Sequence, residues 1–298
     1  MPPRRSKFPL HRPFEKQPAT TSLSEAGLRL VADIYTDRAT VLGTGIVIAG
    51  HLVVTAKHVL LDLLDAGAGS EGLTIDHHLC AVQLLPGPQY VIWDVKAALL
   101  DPIADLALLQ LDGNPGRSHP DKPIAWRQPL VNPFPPAVGE SVVGFGYRSS
   151  SIEVSQNDQG GPHVDLQDEP MASVGVVREI YAFRRDALLP FPCYQVSARF
   201  DGGMSGGPVF EETGALCGII CSNFEGSHLD GEPISYVSSL WPIFRLRMNF
   251  ARGDGWPRDR FYFGIDLARA DLVRVMDMDR LNRFFADHVD SSSQSLDR

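Results

Sequence analysis

From residue 39 to residue 237 the chain keeps returning to short runs of β-branched and apolar residues, each closed off by Gly, Pro or a polar cluster, and this punctuation constrains its fold most. The first run, 39–56, carries Val41, Ile46, Val47, Ile48, Leu52, Val53 and Val54 around Gly50-His51, and reads as two short buried strands joined by a turn. Further strand-like runs cover 81–85, 90–99, 106–111, 141–147, 172–180, 194–196, 208–211, 215–222 and 234–237. Many short strands with Gly and Pro between them predict an all-β barrel or sandwich.

Two stretches interrupt the strands. Between Asp112 and Val138 lie Pro115, Pro120, Pro123, Pro129, Pro133, Pro135 and Pro136. Neither a helix interior nor a central strand tolerates that density, so a connection between two halves is expected there. Residues 149–170, rich in Ser, Gln, Asp and Gly, read as a long mobile surface loop. After the last strand, Leu267, Leu272, Val273, Val275, Met276, Leu281, Phe284 and Phe285 recur at spacings of three to four. They predict one or two amphipathic helices that cap the domain.

Composition narrows the function classes. With 44% hydrophobic and 21% charged residues over 298 positions, the chain can bury a core, which excludes a disordered, collagen-like or coiled-coil protein. A net charge of −9 argues against a partner held by phosphate neutralisation, so no nucleic acid is expected. The longest apolar run, 41–56, is broken by Gly43, Thr44, Gly45, Gly50 and His51 and is too short to span a bilayer, so no membrane partner is expected. Residues 1–22 read as a flexible tail, basic through Arg4, Arg5, Lys7, Arg12 and Lys16, and without the apolar stretch of a secretory signal. Cys80, Cys193, Cys217 and Cys221 show no paired spacing. If Cys217 and Cys221 share a strand they stand about 13 Å apart, beyond the ~7 Å that a disulfide bridges. Unpaired thiols and a cytoplasmic location follow as the expectation.

Chemistry concentrates in three segments: Thr55-Ala56-Lys57-His58-Val59, Asp105-Leu106-Ala107-Leu108-Leu109, and Asp201-Gly202-Gly203-Met204-Ser205-Gly206-Gly207-Pro208. A serine hydroxyl is a poor nucleophile at neutral pH, so hydrolysis needs a neighbouring base with a pKa near 7, and His58 fits. The imidazole in turn needs a carboxylate that fixes its tautomer and stabilises the cation formed in the reaction, and Asp105 fits. Glycines around Ser205 let the chain turn sharply, so that the backbone N–H groups of Gly203 and Ser205 can face a developing oxyanion. His77-His78-x-Cys80 is the one cluster with metal-ligand chemistry. It lacks a fourth ligand in a loop-like context, so no metal and no cofactor are expected.

In that His, Asp, Ser order the chain resembles the chymotrypsin-fold, trypsin-like serine proteases: Gly203–Pro208 carries their G-x-S-G-G-P and Thr55–His58 resembles their T-A-A-H. It is nearer still to the bacterial high-temperature-requirement proteases. Gly43-Thr44-Gly45-Ile46 resembles their G-S-G-[VF], Thr55–Val59 their T-x-x-H-V, and Asp105–Leu108 their D-[IL]-A-[LV]; the likeness covers residues 28 to 248. It implies an all-β fold of two six-stranded antiparallel Greek-key barrels with a short C-terminal helical extension. The boundaries expected are 23–112 for barrel one, 113–137 for the connection, 138–248 for barrel two, 249–289 for the helical extension and 290–298 for a disordered tail. It also implies His58, Asp105 and Ser205 as catalytic residues, Gly203 and Ser205 as oxyanion donors, and a protein or peptide substrate.

The sequence departs from the secreted members of that family. Val59 and Asp201 stand where trypsins carry cysteines, and Met204 stands where they place the Asp that receives a new N-terminus, which excludes that mode of activation. Cys221 falls where trypsins have a Ser that supports the triad carboxylate. With Ser222 and Asn223 it resembles their substrate-pairing strand, and Arg199, six residues before Ser205, falls at the base of their specificity pocket. The expectation is therefore an intracellular bacterial serine endopeptidase restrained by a regulatory protein partner, acting through the C-terminal helices or residues 149–170. The alternative is a latent protease-fold binding module.

Overall fold

In the computed structural model, residues 15–16, 26–61, 63, 78–85, 90–112, 128–156, 162–229, 232–248 and 261–288 are described. Most of the basic tail, residues 113–127 of the expected connection and residues 289–298 lie outside them.

β1 (Glu15–Lys16) precedes a first barrel built from β2 (Gly27–Ala32), β3 (Thr40–Ala49), β4 (Leu52–Thr55), β5 (Leu79–Leu84), β6 (Tyr90–Leu100) and β7 (Ala107–Leu111), with a single helical turn α1 (His58–Leu61) after β4. The strands close antiparallel in the order β2-β3-β4-β7-β6-β5. The β3–β4 turn falls at Gly50-His51 as the sequence predicts, with His51 in the left-handed region at φ 60°. Inward positions such as Leu28, Leu30, Ile46, Val54, Ala81, Trp93 and Leu108 form one core. Their alternates Val31, Cys80, Val82 and Ile92 form a second, outward cluster. Alternation of this kind is the period of a pleated strand, and it buries both faces of this sheet.

The second sheet contains β8 (Ser141–Gln156), β9 (Pro162–Tyr181), β10 (Cys193–Val196), β11 (Pro208–Glu211), β12 (Leu216–Leu229) and β13 (Glu232–Ser238). Their order is β9-β10-β13-β12-β11-β8, and pairing of β8 with β9 brings the six strands round on themselves, with β1 added on β9. The molecule is thus a double-barrel, chymotrypsin-type fold.

Residues 149–170 are not the expected loop. They extend β8 and β9 into a long hairpin, with register partners running from Ser141↔Val176 to Gln156↔Pro162. The reason is the apolar alternation of Ile152 and, across the hairpin, Val164 and Leu166, which cover the outward cluster of barrel one. Arg29 of β2 fastens the same seam. It is 1% exposed, lies 3.9 Å over the Tyr147 ring, donates to Ser150 Oγ at 2.8 Å and pairs with Asp168. A buried guanidinium is tolerable only with such partners.

After a short 3-10 helix (Trp241–Arg245), β14 (Arg247–Met248) pairs with β15 (Tyr262–Phe263), followed by α2 (Gly264–Arg269) and α3 (Met278–His288). Asp277 caps α3 by accepting the Arg280 N–H at 2.8 Å. Leu281 is fully buried, and the Phe284 ring sits 5.1 Å from Phe134 and 5.0 Å from Trp241. Backbone bonds from Val131 N–H to Arg274 O and from Met276 N–H to Val131 O tie this extension to the segment leading into barrel two. Among the described residues no helix is long and apolar enough to cross a membrane.

Candidate active site

β4 delivers its last residue, Thr55, into the core, and the chain turns two residues later into α1 with His58 as its first residue. Asp105 lies in the short turn between β6 and β7. The Asp105 carboxylate meets His58 at two points: Oδ2 lies 2.7 Å from Nδ1, and Oδ1 accepts the His58 backbone N–H at 2.9 Å. The side chain of His58 is 39% exposed while that of Asp105 is 11% exposed, so the imidazole opens to a cleft and the carboxylate is shielded behind it. With one carboxylate oxygen held by the backbone, the other is fixed on Nδ1. This favours the tautomer whose Nε2 can accept a proton.

The loop carrying Ser205 is held by its own backbone and by barrel one. Met204 N–H donates to Asp201 O, Gly207 N–H to Met204 O and Gly206 N–H to Ile220 O, while the Ser205 carbonyl accepts from Thr44 N–H at 2.8 Å. Gly203 lies at φ 88°, and a Cβ there would stand 2.6 Å from Tyr147 O, so no other residue fits. Among the described residues the N–H groups of Gly203 and Ser205 have no backbone acceptor and remain available to a ligand.

Two cavities meet at His58 and Ser205. The larger, about 640 Å³, is lined by Lys57, Asp105, Ile103, Leu188–Phe191, Phe200, Asp201, Gly202, Ile220 and Cys221. The smaller, about 490 Å³, runs past Asp33, Arg38, Thr40, Leu42, Val59 and Gly203. Cys221 thus lines the cleft, whereas Arg199 does not: its guanidinium is captured by Asp201 at 3.0 Å, and Phe200 takes the wall instead. Ser222 and Asn223 lie on β12, paired with Tyr236 and Ser235 of β13.

Several positioning residues were not legible as such. The Thr44 hydroxyl donates to Gly203 O at 3.1 Å and accepts the Tyr147 N–H at 3.3 Å, so one buried side chain of barrel one orients the loop of barrel two. Asp101, fully buried, shapes the turn that carries Asp105. Its Oδ1 accepts the N–H groups of Ile103 and Ala104 and a guanidinium N–H of Arg245, its carbonyl accepts Lys57 Nζ, and its own N–H donates to Leu106 O. The only signal for Thr44 was its place in Gly43-Thr44-Gly45-Ile46, and Asp101 gave none.

A double β-barrel with a carboxylate-fixed histidine and a glycine-bounded serine at one cleft defines the chymotrypsin-type hydrolase class. The family profile described as "Trypsin-like peptidase domain" matches residues 43–219, well over half of the chain, and the chain belongs to that family. Solved structures similar to it include "Crystal structure of Deg5" (18% identity, TM-score 0.42, 72% of this chain and 84% of that one). Another is "HtrA-type protease AlgW with tripeptide" (18% identity, TM-score 0.40, 72% of this chain and 56% of that one). No curated protein matches.

Proposed function

We propose that this protein is a serine endopeptidase working through an acyl-enzyme intermediate, with His58, Asp105 and Ser205 as its triad. The observation that carries this reading is the two-point clasp of Asp105 on His58 in the cleft that Ser205 shares. Ser205 Oγ attacks the scissile carbonyl carbon as His58 Nε2 takes its proton, and Asp105 stabilises the imidazolium. Negative charge gathers on the carbonyl oxygen, where the N–H groups of Gly203 and Ser205 receive it. The tetrahedral intermediate collapses, His58 returns the proton to the departing amine, and the reverse sequence with water releases the acid.

The apolar walls formed by Ile103, Leu189, Pro190, Phe191 and Ile220 support a peptide substrate with an apolar side chain near the cleaved bond. We extend the reading to an intracellular bacterial enzyme restrained by a protein partner. Four buried cysteines, none in a disulfide, suit a reducing compartment. Casein digestion by the wild type and none by Ser205→Ala is the expected result. Equal digestion by both refutes the assignment of Ser205, and no digestion by either refutes a constitutively active endopeptidase.

A further inference from the structure

On the outer face of barrel one, three side chains of different donor chemistry converge. His78 and Cys80 are two residues apart on one strand path and so project from the same face, and Asp94 of β6 is the cross-strand partner of Cys80. Cys80 Sγ lies 3.6 Å from Asp94 Oδ1 and 3.9 Å from His78 Nε2, and His78 Nε2 lies 3.0 Å from Asp94 Oδ1. A tetrahedral zinc ion with bonds of about 2.0–2.3 Å places its donor atoms about 3.3–3.8 Å apart. The three observed separations differ from that by no more than about 0.4 Å.

We propose that His78, Cys80 and Asp94 bind one zinc ion through Nε2, Sγ and a carboxylate oxygen. The sequence offered His77, His78 and Cys80; His77 lies outside the described residues, and the register of β5 against β6 supplies Asp94 as the third ligand. A thiolate with imidazole and carboxylate is a mixed donor set that selects zinc over magnesium or calcium. Binding releases the Cys80 thiol proton to solvent.

The surroundings are prepared for an ion. His78 is held by its backbone, its N–H donating to Asp33 Oδ1 at 3.0 Å and its carbonyl accepting the Asp33 N–H at 2.8 Å. The Tyr35 ring stacks on its imidazole at 5.8 Å. The carboxylates of Asp33 and Asp94 make the local field negative around Cys80. Side-chain exposures of 48% for His78 and 40% for Asp94 leave an entry path and a fourth coordination position for water, while Cys80 itself is buried. Asp33 also borders the smaller cleft cavity, so an ion here would brace one rim of the site.

The test is cobalt(II) titration of the metal-depleted full chain, followed by displacement with zinc. One equivalent is expected, with a thiolate-to-cobalt charge-transfer band and the strong visible absorption of a tetrahedral ion. Cys80→Ser should abolish the band, and His78→Gln and Asp94→Asn, at partly exposed positions that leave the core intact, should each weaken binding at least tenfold. His58→Ala should change nothing, which separates this site from an ion on the catalytic imidazole. The proposal is overturned if micromolar cobalt and zinc are not taken up, if His78→Gln or Cys80→Ser binds as tightly as the wild type, or if His58→Ala removes the signal.

Discussion

Replacing Thr44 by Val probes the joint between the two barrels, because it keeps the shape of the side chain and deletes only its hydroxyl. That hydroxyl is fully buried and makes two bonds, to Gly203 O at 3.1 Å and from Tyr147 N–H at 3.3 Å. Backbone ties from Thr44 N–H to Ser205 O, and from the Thr55 hydroxyl to Thr44 O, survive the change. The buried Tyr147 N–H and the part-buried Gly203 carbonyl lose a partner, at about 1–3 kcal/mol each. Both bonds are long, so the low end applies, giving a loss of about 2 kcal/mol and a fall in Tm of about 4–8 °C. Loss of this tie frees the peptide unit that joins Gly203 C=O to Met204 N–H, and through the Gly203 Cα it loosens the neighbouring unit that carries the Gly203 N–H. Loss of one oxyanion donor costs about 2.7–4 kcal/mol, or 10²–10³ in rate. The assay is the second-order rate of fluorophosphonate modification well below Tm, beside calorimetry, with Thr44→Ser as the conservative control that should retain both properties. A Thr44→Val protein that is destabilised yet modified at the wild-type rate would refute the oxyanion argument.

Other expectations can be measured on the same preparations. Asp105→Asn presents an amide N–H to His58 Nδ1 and forces the opposite tautomer, so kcat on a peptide substrate should fall by about 10⁴ with little change in KM. Leu281→Ala empties a fully buried position of α3 and should cost about 2–5 kcal/mol, with hydrogen exchange rising first across 278–288 and at Val131. Burial pushes the Cys193 thiol up to about 12 and that of Cys217 well above the usual range. Above about pH 9 the unfolded chain therefore loses thiol protons that the folded chain keeps, and stability should drop by up to about 1.4 kcal/mol per pH unit per thiol. A Tm that stays flat from pH 8 to 10.5 would contradict this, and Cys193→Ala should make the decline shallower.

What could be read from the sequence depended on the range over which the signal acts. His58, Asp105 and Ser205 stood out because nucleophilic hydrolysis demands particular residue types with particular immediate neighbours, and most barrel strands announced themselves by local β-branched runs. β2 went unread: Arg29 interrupts its apolar run, and only its placement over Tyr147 beside Ser150 explains a charge there. Residues 149–170 look like a loop by composition, yet Ile152, Val164 and Leu166 alternate correctly for a strand once barrel one offers a surface to cover. Thr44 and Asp94 acquire their meaning from contacts across the fold, with Gly203 and with Cys80, which no local pattern encodes. Counting back from Ser205 fixes the chain distance of Arg199 but not its direction, and its guanidinium pairs with the Asp201 carboxylate.

The central claim is that Ser205 is a nucleophile activated by His58. Incubating the folded protein with a fluorophosphonate and mapping the adduct by peptide mass spectrometry tests it most directly. One adduct per chain on Ser205 in the wild type, lost in Ser205→Ala and strongly slowed in His58→Ala, is the predicted result. A folded wild type that forms no adduct, or one whose labelling is indifferent to His58, would contradict it.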